Sequence, residues 1–301
     1  MKRMRKIPPM ALVIFAVCMV SYSGPMVKGA LGAGAAPASI AFLRMLAAAL
    51  MILPIDLRSC HKKGLSLRFS RREAGLTLLA ALFLAGHYLT WITSLTGTST
   101  FASVALVCTQ PLFVSLLSYW LFHEKTPRRA IPGAALALAG ALAIALGGLA
   151  GSDPAASSGA LGSNLLALAG AVLMAAHWLS CREIRRTLSA ELYTPALYLL
   201  TAALLAFVLP LSGGFRMPLN ALPWMAGLVI GSTLLGHAVF AYALEGVSAN
   251  VVSFALLGEP VGAMIFSIFL FGEIPTPIVA AGGLLTLSGL ALYLARSGHQ
   301  A

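Results

Sequence analysis

The sequence contains few charged residues of either sign. Only 10% of its 301 residues are charged, and Asp and Glu together number 9. A soluble globular domain carries roughly 25% charged residues, so the composition excludes that class. Hydrophobic residues make up 59% of the chain, and the mean hydropathy is +0.91. These values indicate an integral membrane protein.

Cysteine is scarce as well. Cys18 and Cys108 lie in apolar segments, whereas Cys60 and Cys181 lie in basic loops. The sequence contains no CxxC pair and no Cys/His spacing typical of zinc sites. We therefore expect no disulfide framework, no bound metal and no cofactor.

The motifs of membrane enzymes and ATP-driven pumps are also missing. Neither HExxH nor GxSxG occurs, and Glu259 is the single acidic residue in the middle of an apolar stretch. The run GALGAG at 29–34 follows no predicted strand and is followed by no Lys-Ser/Thr, so it does not resemble a phosphate loop. We therefore expect a protein that is not an enzyme.

Long apolar stretches take up most of the chain. Each is about 17–24 residues long, which is enough to cross a hydrocarbon core of roughly 30 Å. The first could be a signal peptide, but its length favours a transmembrane helix. The pattern predicts an all-α protein with ten transmembrane helices, near 8–27, 37–55, 73–94, 100–122, 131–149, 162–180, 193–211, 221–243, 248–271 and 277–295.

The basic residues lie in the loops and predict the orientation of the chain. Lys28 and Arg216 fall in loops on one side and Arg44 lies within a helix, while the other 17 of the 20 Lys and Arg residues fall on the opposite side. Because cytoplasmic loops are rich in Lys and Arg, both termini are predicted to be cytoplasmic. No basic patch alternates with aromatic residues, so we expect no nucleic-acid partner.

The two halves of the sequence repeat each other. A shift of 149 residues places 99–146 over 248–295 without a gap, so that Pro111 meets Pro260 and LFHE meets LFGE. With one inserted residue, the Gly-His pair ending at His87 also meets the pair ending at His237. Since each repeat would hold five helices, the second half must insert upside down. Inverted repeats are a recurrent architecture of secondary transporters.

The segments TSTFASVALVCTQPLFVSLLSYWLFHEK and VSANVVSFALLGEPVGAMIFSIFLFGEIP resemble the two repeats of EamA-type transporters of the drug/metabolite transporter superfamily. The pattern PASIAFLRMLAAAL around Arg44 is also similar to that family. The resemblance implies two inverted five-helix repeats, at 10–147 and 162–295. It further implies alternating access and export of small metabolites, without specifying the substrate.

Glu259 and Gln110 are equivalent residues of the two repeats, and each precedes a repeat proline. A charged group at the bilayer centre costs about 2.5–3.5 kcal/mol or more, and proline interrupts helical hydrogen bonding. We expect Pro111 and Pro260 to kink their helices and both polar side chains to line a substrate or proton pathway. The alternative for Glu259 is a protonated carboxyl group that bonds a neighbouring helix.

Four further residues are pathway candidates, namely His87, Trp91, His237 and Arg44. His87 and Trp91 share a helix face, and His237 is the equivalent of His87 in the second repeat. Structural hydrogen bonds between helices are an equally good interpretation of both histidines. Arg44 could bind a substrate carboxylate or phosphate, but we expect it to snorkel to the outer interface or to pair with Glu259.

Other residues are interpreted as structural. Glu124 and Glu273 are predicted to be boundary and packing residues at helix ends. Four glycines suit close helix packing, and we expect that packing within one chain rather than in a homodimer; these are Gly133, Gly140, Gly282 and Gly289.

The features together predict a secondary carrier in the inner membrane of a bacterium-like cell, with a small organic solute as its substrate and a proton as the candidate coupling ion. The alternatives are a passive channel or facilitator and, less favoured, a membrane receptor or scaffold. A carrier is favoured because the repeat is inverted and no further domain accompanies the helices.

The topology can be tested directly. A reporter fused after Arg296 should be cytoplasmic, and residues near Asp153 and Arg216 should face outwards, because cytoplasmic loops collect Lys and Arg. Labelling of single cysteines from outside intact cells should reach position 155 but not position 70. The opposite labelling pattern would overturn both the orientation and the inverted repeat.

Overall fold

The computed structural model describes residues 9–64, 68–123, 127–147, 154–236 and 258–297, and all regular secondary structure in these ranges is helical. The fold is therefore all-α over the described residues, as predicted. The α-helices are α1 Pro9–Ser21, α2 Ser23–Gly32, α3 Pro37–Lys63, α4 Arg71–Ser94, α5 Thr100–Val107, α6 Gln110–Phe122, α7 Ile131–Gly147, α8 Pro154–Ile184, α9 Ala190–Val208, α10 Leu222–Ala226, α11 Glu259–Phe271 and α12 Pro277–Ser297. A π-helix, Gly227–Gly236, continues α10.

The described residues contain seven helical stretches that are long and apolar enough to cross a membrane. Two shorter apolar helices, Glu259–Phe271 and Pro277–Tyr293, follow them. The predicted fifth span is helical over Ile131–Gly147, and the predicted ninth is described only from Gly258 onward. The seven stretches are Ala11–Gly32, Pro37–Lys63, Arg71–Ser94, Thr100–Phe122, Gly159–Ile184, Ala190–Val208 and Leu219–Gly236.

Several helices begin in the middle of predicted spans. Helix α1 ends one residue before Tyr22, and α5 is separated from α6 by Cys108 and Thr109. The backbone of Thr109 has φ −73° and ψ −5°, and Gly258 before α11 has φ −74° and ψ −15°. Both ψ values depart from the helical value of about −42°. Proline at the second helical residue fits these starts, because an N–H there has no intrahelical partner.

Capping residues define the connection between α3 and α4. Helix α3 carries His61, Lys62 and Lys63 in its last turn and ends at Gly64, whose φ of 63° suits glycine. Helix α4 starts with a capping box: the Ser70 hydroxyl accepts from the Glu73 N–H and the Glu73 carboxylate accepts from the Ser70 N–H. Lys63 and Glu191 form an ion pair at this end of the bundle.

Hydrogen bonds join four loops at the opposite end. The Ala36 N–H donates to the Arg216 carbonyl at 3.0 Å, and the Lys28 ammonium donates to the Thr98 carbonyl and to Glu273, both at 3.1 Å. This is the end that the basic residues assign to the outside, and we call it the predicted outer end. The largest apolar core lies between the two ends, with residues from α2, α3, α4, α9 and the π-helix.

Helices α7 and α12 pack closely through glycines. A Cβ atom on Gly133 would lie 2.8 Å from the Gly289 carbonyl oxygen, and one on Gly140 would lie 2.6 Å from that of Gly282. Such distances leave no room for a side chain, so the backbones are in direct contact. The four glycines therefore pack within the chain, as expected from the sequence.

This packing predicts a sharp difference between two glycine substitutions. Gly140→Ala should destabilise the protein by about 1–3 kcal/mol, because its methyl group overpacks the contact with α12. Gly75→Ala in α4 is the matched control, since nothing lies within 4 Å of its Cβ position. It should be neutral or stabilising by up to about 1 kcal/mol through helix propensity. Thermal unfolding in detergent measures both, and equal effects would contradict the close packing.

Candidate functional site

Arg44 is a buried charge in the apolar core. It lies on α3, and only 3% of its surface is exposed. Its Nε donates to the Thr233 hydroxyl at 2.9 Å, and its Nη1 donates to the Ser23 hydroxyl at 3.3 Å. The guanidinium therefore does not snorkel to the interface; it joins α3 to the first residue of α2 and to the π-helix.

Two aromatic rings of α4 complete the surroundings of Arg44. The Arg44 Cζ atom lies 4.7 Å from the ring centroid of Tyr88 and 5.9 Å from that of Trp91. A cation over an aromatic face is stabilised by about 0.5–2 kcal/mol, most when desolvated. We define the Arg44 cluster as Ser23, Arg44, Tyr88, Trp91 and Thr233.

The π-helix places Thr233 in this cluster. The Thr233 hydroxyl donates to the Leu228 carbonyl, five residues earlier, at 3.0 Å. With its own hydrogen donated, the hydroxyl oxygen can still accept from Arg44. The π-helix thus sets the position of the Thr233 side chain, and its hydroxyl oxygen accepts from the guanidinium.

Several buried polar atoms near the helix starts have no hydrogen-bond partner among the described residues. On the side of the Arg44 cluster these are Trp91 Nε1, Ser21 Oγ and Ser232 Oγ, and on α6 the Gln110 Oε1 atom is also unpartnered. Ser267 Oγ on α11 is the fifth. Buried polar groups normally have partners, so these atoms mark space that a polar ligand or water can satisfy.

Glu259 is the first residue of α11 and is partly buried. Its carboxyl group interacts electrostatically with Arg44 and lies near the Cys108 thiol at the break between α5 and α6. In the described part of the chain, no direct ion pair joins Glu259 to Arg44. The positive end of the α11 dipole favours a carboxylate at this position. Gln110 holds the equivalent first position of α6.

Two histidines join α4 and α8 by reciprocal contacts. His87 Nδ1 lies 2.9 Å from the Gly170 carbonyl oxygen, and His177 Nδ1 lies 2.9 Å from that of Ala80. Each Nδ1–H can donate to the facing helix. His87 also stacks on Trp91, with the ring planes 9° apart. This geometry supports the structural interpretation of His87. His237 lies outside the described residues.

An ion pair at the predicted outer end was not expected from the sequence. Glu273 accepts from the Lys28 ammonium at 3.1 Å and from both the N–H and the hydroxyl of Thr100 at 2.8 Å. We call this group the outer clamp. It ties α2 to the start of α5 and to the loop after α11. The available signal was that Lys28 and Arg216 are the only basic residues that the sequence places outside the predicted spans on that side.

Two cavities open at the predicted outer end, and Lys28 lines both. One, of about 820 Å³, is also lined by Arg216, Asn220 and Trp224. The other, of about 460 Å³, is lined by Ser99, Asn164 and Thr276, among others. None of the predicted pathway residues that the structure describes lines either cavity. Lys28 of the outer clamp is thus shared by the two cavities.

Comparisons with known proteins identify similar sequences and folds. The model of the EamA-like transporter family matches residues 7–146 and 161–295. A solved crystal structure of a protein is similar over 96% of this chain and 98% of its own, with a TM-score of 0.65 and 17% sequence identity. At that identity, the similarity concerns the fold alone. No curated protein matches the chain.

The reciprocal histidine contacts predict matched losses of stability. His87→Leu and His177→Leu should each destabilise the protein by a comparable small amount, about 0.6 kcal/mol on the average for such bonds. His61→Leu, at an exposed position in the last turn of α3, is the control and should have no effect. Thermal unfolding in detergent provides the measurement. Unchanged stability of the His87 variant would argue against its structural role.

Proposed function

The chain belongs to the EamA-like transporter family, and on this premise we propose that it is a secondary active carrier that exports a small organic solute by alternating access. It acts in the inner membrane of its cell, with both termini in the cytoplasm. Its two five-helix repeats, at 10–147 and 162–295, form ten transmembrane helices in inverted orientation. The two separate segments that match the family model support this division.

The contact between α7 and α12 supports the inverted repeat. Under the shift of 149 residues, the contact of Gly133 with Gly289 becomes that of Gly282 with Gly140, and both contacts are present. At the centre of the same contact, the Thr286 hydroxyl donates to the carbonyl of Ala137, its own equivalent, at 3.5 Å. Equivalent residues meet in this way where a two-fold axis passes between two helices.

The packing of other helices agrees with the same axis. The equivalent helices α3 and α9 pack together. Helix α4 packs on α8, and the segments equivalent to them, α10 with its π-helix and α1 with α2, also pack on each other. Inverted halves that meet in this way can rock against each other around a central site.

The observation that carries the proposal is the pair of opposite charges between the two halves. Arg44 belongs to the first half and Glu259 to the second, and each lies beside interrupted helices. Intramembrane charges are costly and mark substrate or ion pathways. In secondary transporters, helix ends at mid-membrane bind substrate and coupling ions.

Glu259 is proposed to carry the coupling proton, because it is the acidic residue at the start of α11 and lacks an ion-pair partner among the described residues. A carboxyl group in a low-dielectric site can take up a proton from one side and release it to the other. Gln110 at the equivalent position of α6 supports the idea that the architecture accepts an amide there.

Transport in proteoliposomes tests the proposal. A screen for metabolites that raise the thermal stability of the purified protein first identifies a substrate, since a ligand of the folded state stabilises it by about RT ln(1 + [L]/Kd). An imposed pH gradient should then drive accumulation above the external concentration. A channel or facilitator cannot accumulate solute, and a receptor would move none.

Glu259→Gln should keep the fold and abolish gradient-driven accumulation, because the amide cannot carry a proton. Exchange of labelled for unlabelled substrate needs no net proton movement and should persist. Glu191→Gln is the matched control: its carboxylate pairs with Lys63 at the surface, and such pairs contribute little. Undiminished accumulation by the Glu259 variant would exclude the proton-carrier role.

A further inference from the structure

Arg44 has more hydrogen-bond donors than the described residues satisfy. A guanidinium carries five N–H donors and no acceptor. The described contacts use two of them, and both acceptors are neutral hydroxyls. No carboxylate of the described residues lies within ion-pair distance of the guanidinium. A buried charge without a counter-charge is strongly destabilising, so the site is built to be completed by an anion.

The neighbouring unpartnered atoms point to the same ligand chemistry. Trp91 Nε1 is a donor only, and it lacks a partner among the described residues although Trp91 is 5% exposed. Ser232 precedes Thr233 in the chain and Ser21 lies two residues before Ser23, and both hydroxyls lack a partner among the described residues. The unused N–H groups of Arg44 and Trp91 are donors only, so a group that satisfies both must be an acceptor.

Charge matching narrows the class of anion. Arg44 is the single cation of the cluster, and under the proposed function the nearby Glu259 is neutral when it carries the coupling proton. A monocarboxylate then balances the one positive charge, whereas a dianion such as phosphate exceeds it. The planar fork of arginine also matches the two oxygens of a carboxylate.

We propose that the Arg44 guanidinium and the Trp91 indole N–H bind the carboxylate of a small organic monocarboxylate substrate. The inference rests on the proposed function, because it names the substrate class of that same central site. If Arg44 binds the substrate, its role is neither to snorkel nor to form a permanent ion pair with Glu259. The outer cavity lined by Arg216 is then separate from the proposed binding site.

Ligand binding to the purified protein in detergent tests the inference without requiring transport. The probes are propionate with propionamide, phenylacetate with phenylacetamide and leucine with leucinamide, each pair differing in the carboxylate group. Inorganic phosphate is tested in parallel, to distinguish a carboxylate site from a phosphate site. At least one acid should raise the melting temperature by about 2 °C or more, while its amide and phosphate should not.

Variants then locate the binding site. Arg44→Gln should weaken binding of the stabilising acid at least about tenfold, as for a lost charged hydrogen bond. Arg44→Lys keeps the charge and should retain part of the affinity, so it remains informative if the glutamine variant does not fold. Arg216→Gln in the outer cavity should bind normally.

Trp91→Phe removes the indole N–H and keeps an aromatic ring. It should weaken acid binding about threefold to tenfold, the effect of one ordinary hydrogen bond. Trp178→Phe is the matched control, because Trp178 is 49% exposed on α8. Its binding should equal that of the wild type.

Four results would overturn the inference. They are equal stabilisation by acids and their amides, no stabilisation by any acid, stabilisation by phosphate alone, and acid binding that survives Arg44→Gln or is lost in Arg216→Gln. Uphill transport of a solute that has no carboxylate group would leave the carrier function intact while refuting the monocarboxylate. Acid binding through Arg44 without transport would support the monocarboxylate site while refuting the carrier function.

Discussion

The burial of one guanidinium charge shapes the centre of this protein. A charged side chain in a hydrocarbon core must find polar partners inside the protein, and regular helices offer few because their backbone groups are already paired. Arg44 finds its partners at irregular places. Ser23 is the first residue of a helix that starts in mid-span, and Thr233 belongs to a π-helix. The hydroxyls that satisfy the buried charge therefore lie on irregular segments of the chain.

Away from the centre, the helices are joined by three kinds of contact. Glycines bring α7 and α12 together at the backbone, and the histidines at 87 and 177 bond α4 to α8 at two levels. The outer clamp closes one end through the carboxylate of Glu273. Such contacts are compatible with the proposed alternating access, in which groups of helices move as rigid bodies.

The proposed roles of the two central charges fit one cycle. A carboxylate on Arg44 would neutralise the cation, and a proton on Glu259 would neutralise the anion, so that each half could move without an unpaired charge in the membrane. The two groups lie near each other without a direct ion pair among the described contacts. Arg44 is therefore available to a substrate carboxylate, and Glu259 is available to a proton. A direct ion pair between the two would only hold helices together.

The sequence alone determined the class of the protein and much of its packing. Apolar stretches of spanning length predicted an all-helical membrane protein, because the bilayer imposes that length. The repeat predicted the equivalence of the four glycines, and the residues around Arg44 indicated the family that the comparison then confirmed. These features are local or periodic, so they can be read without knowing which helices touch.

Only the tertiary structure decided what each polar side chain contacts. Arg44 was expected to snorkel or to pair with Glu259, yet its acceptor Thr233 lies 189 residues away in the chain. Glu273 was expected to be a packing residue, yet it binds Lys28 and Thr100. The sequence could not reveal these contacts, because the partner of a buried polar group depends on which helices pack together and in what rotation.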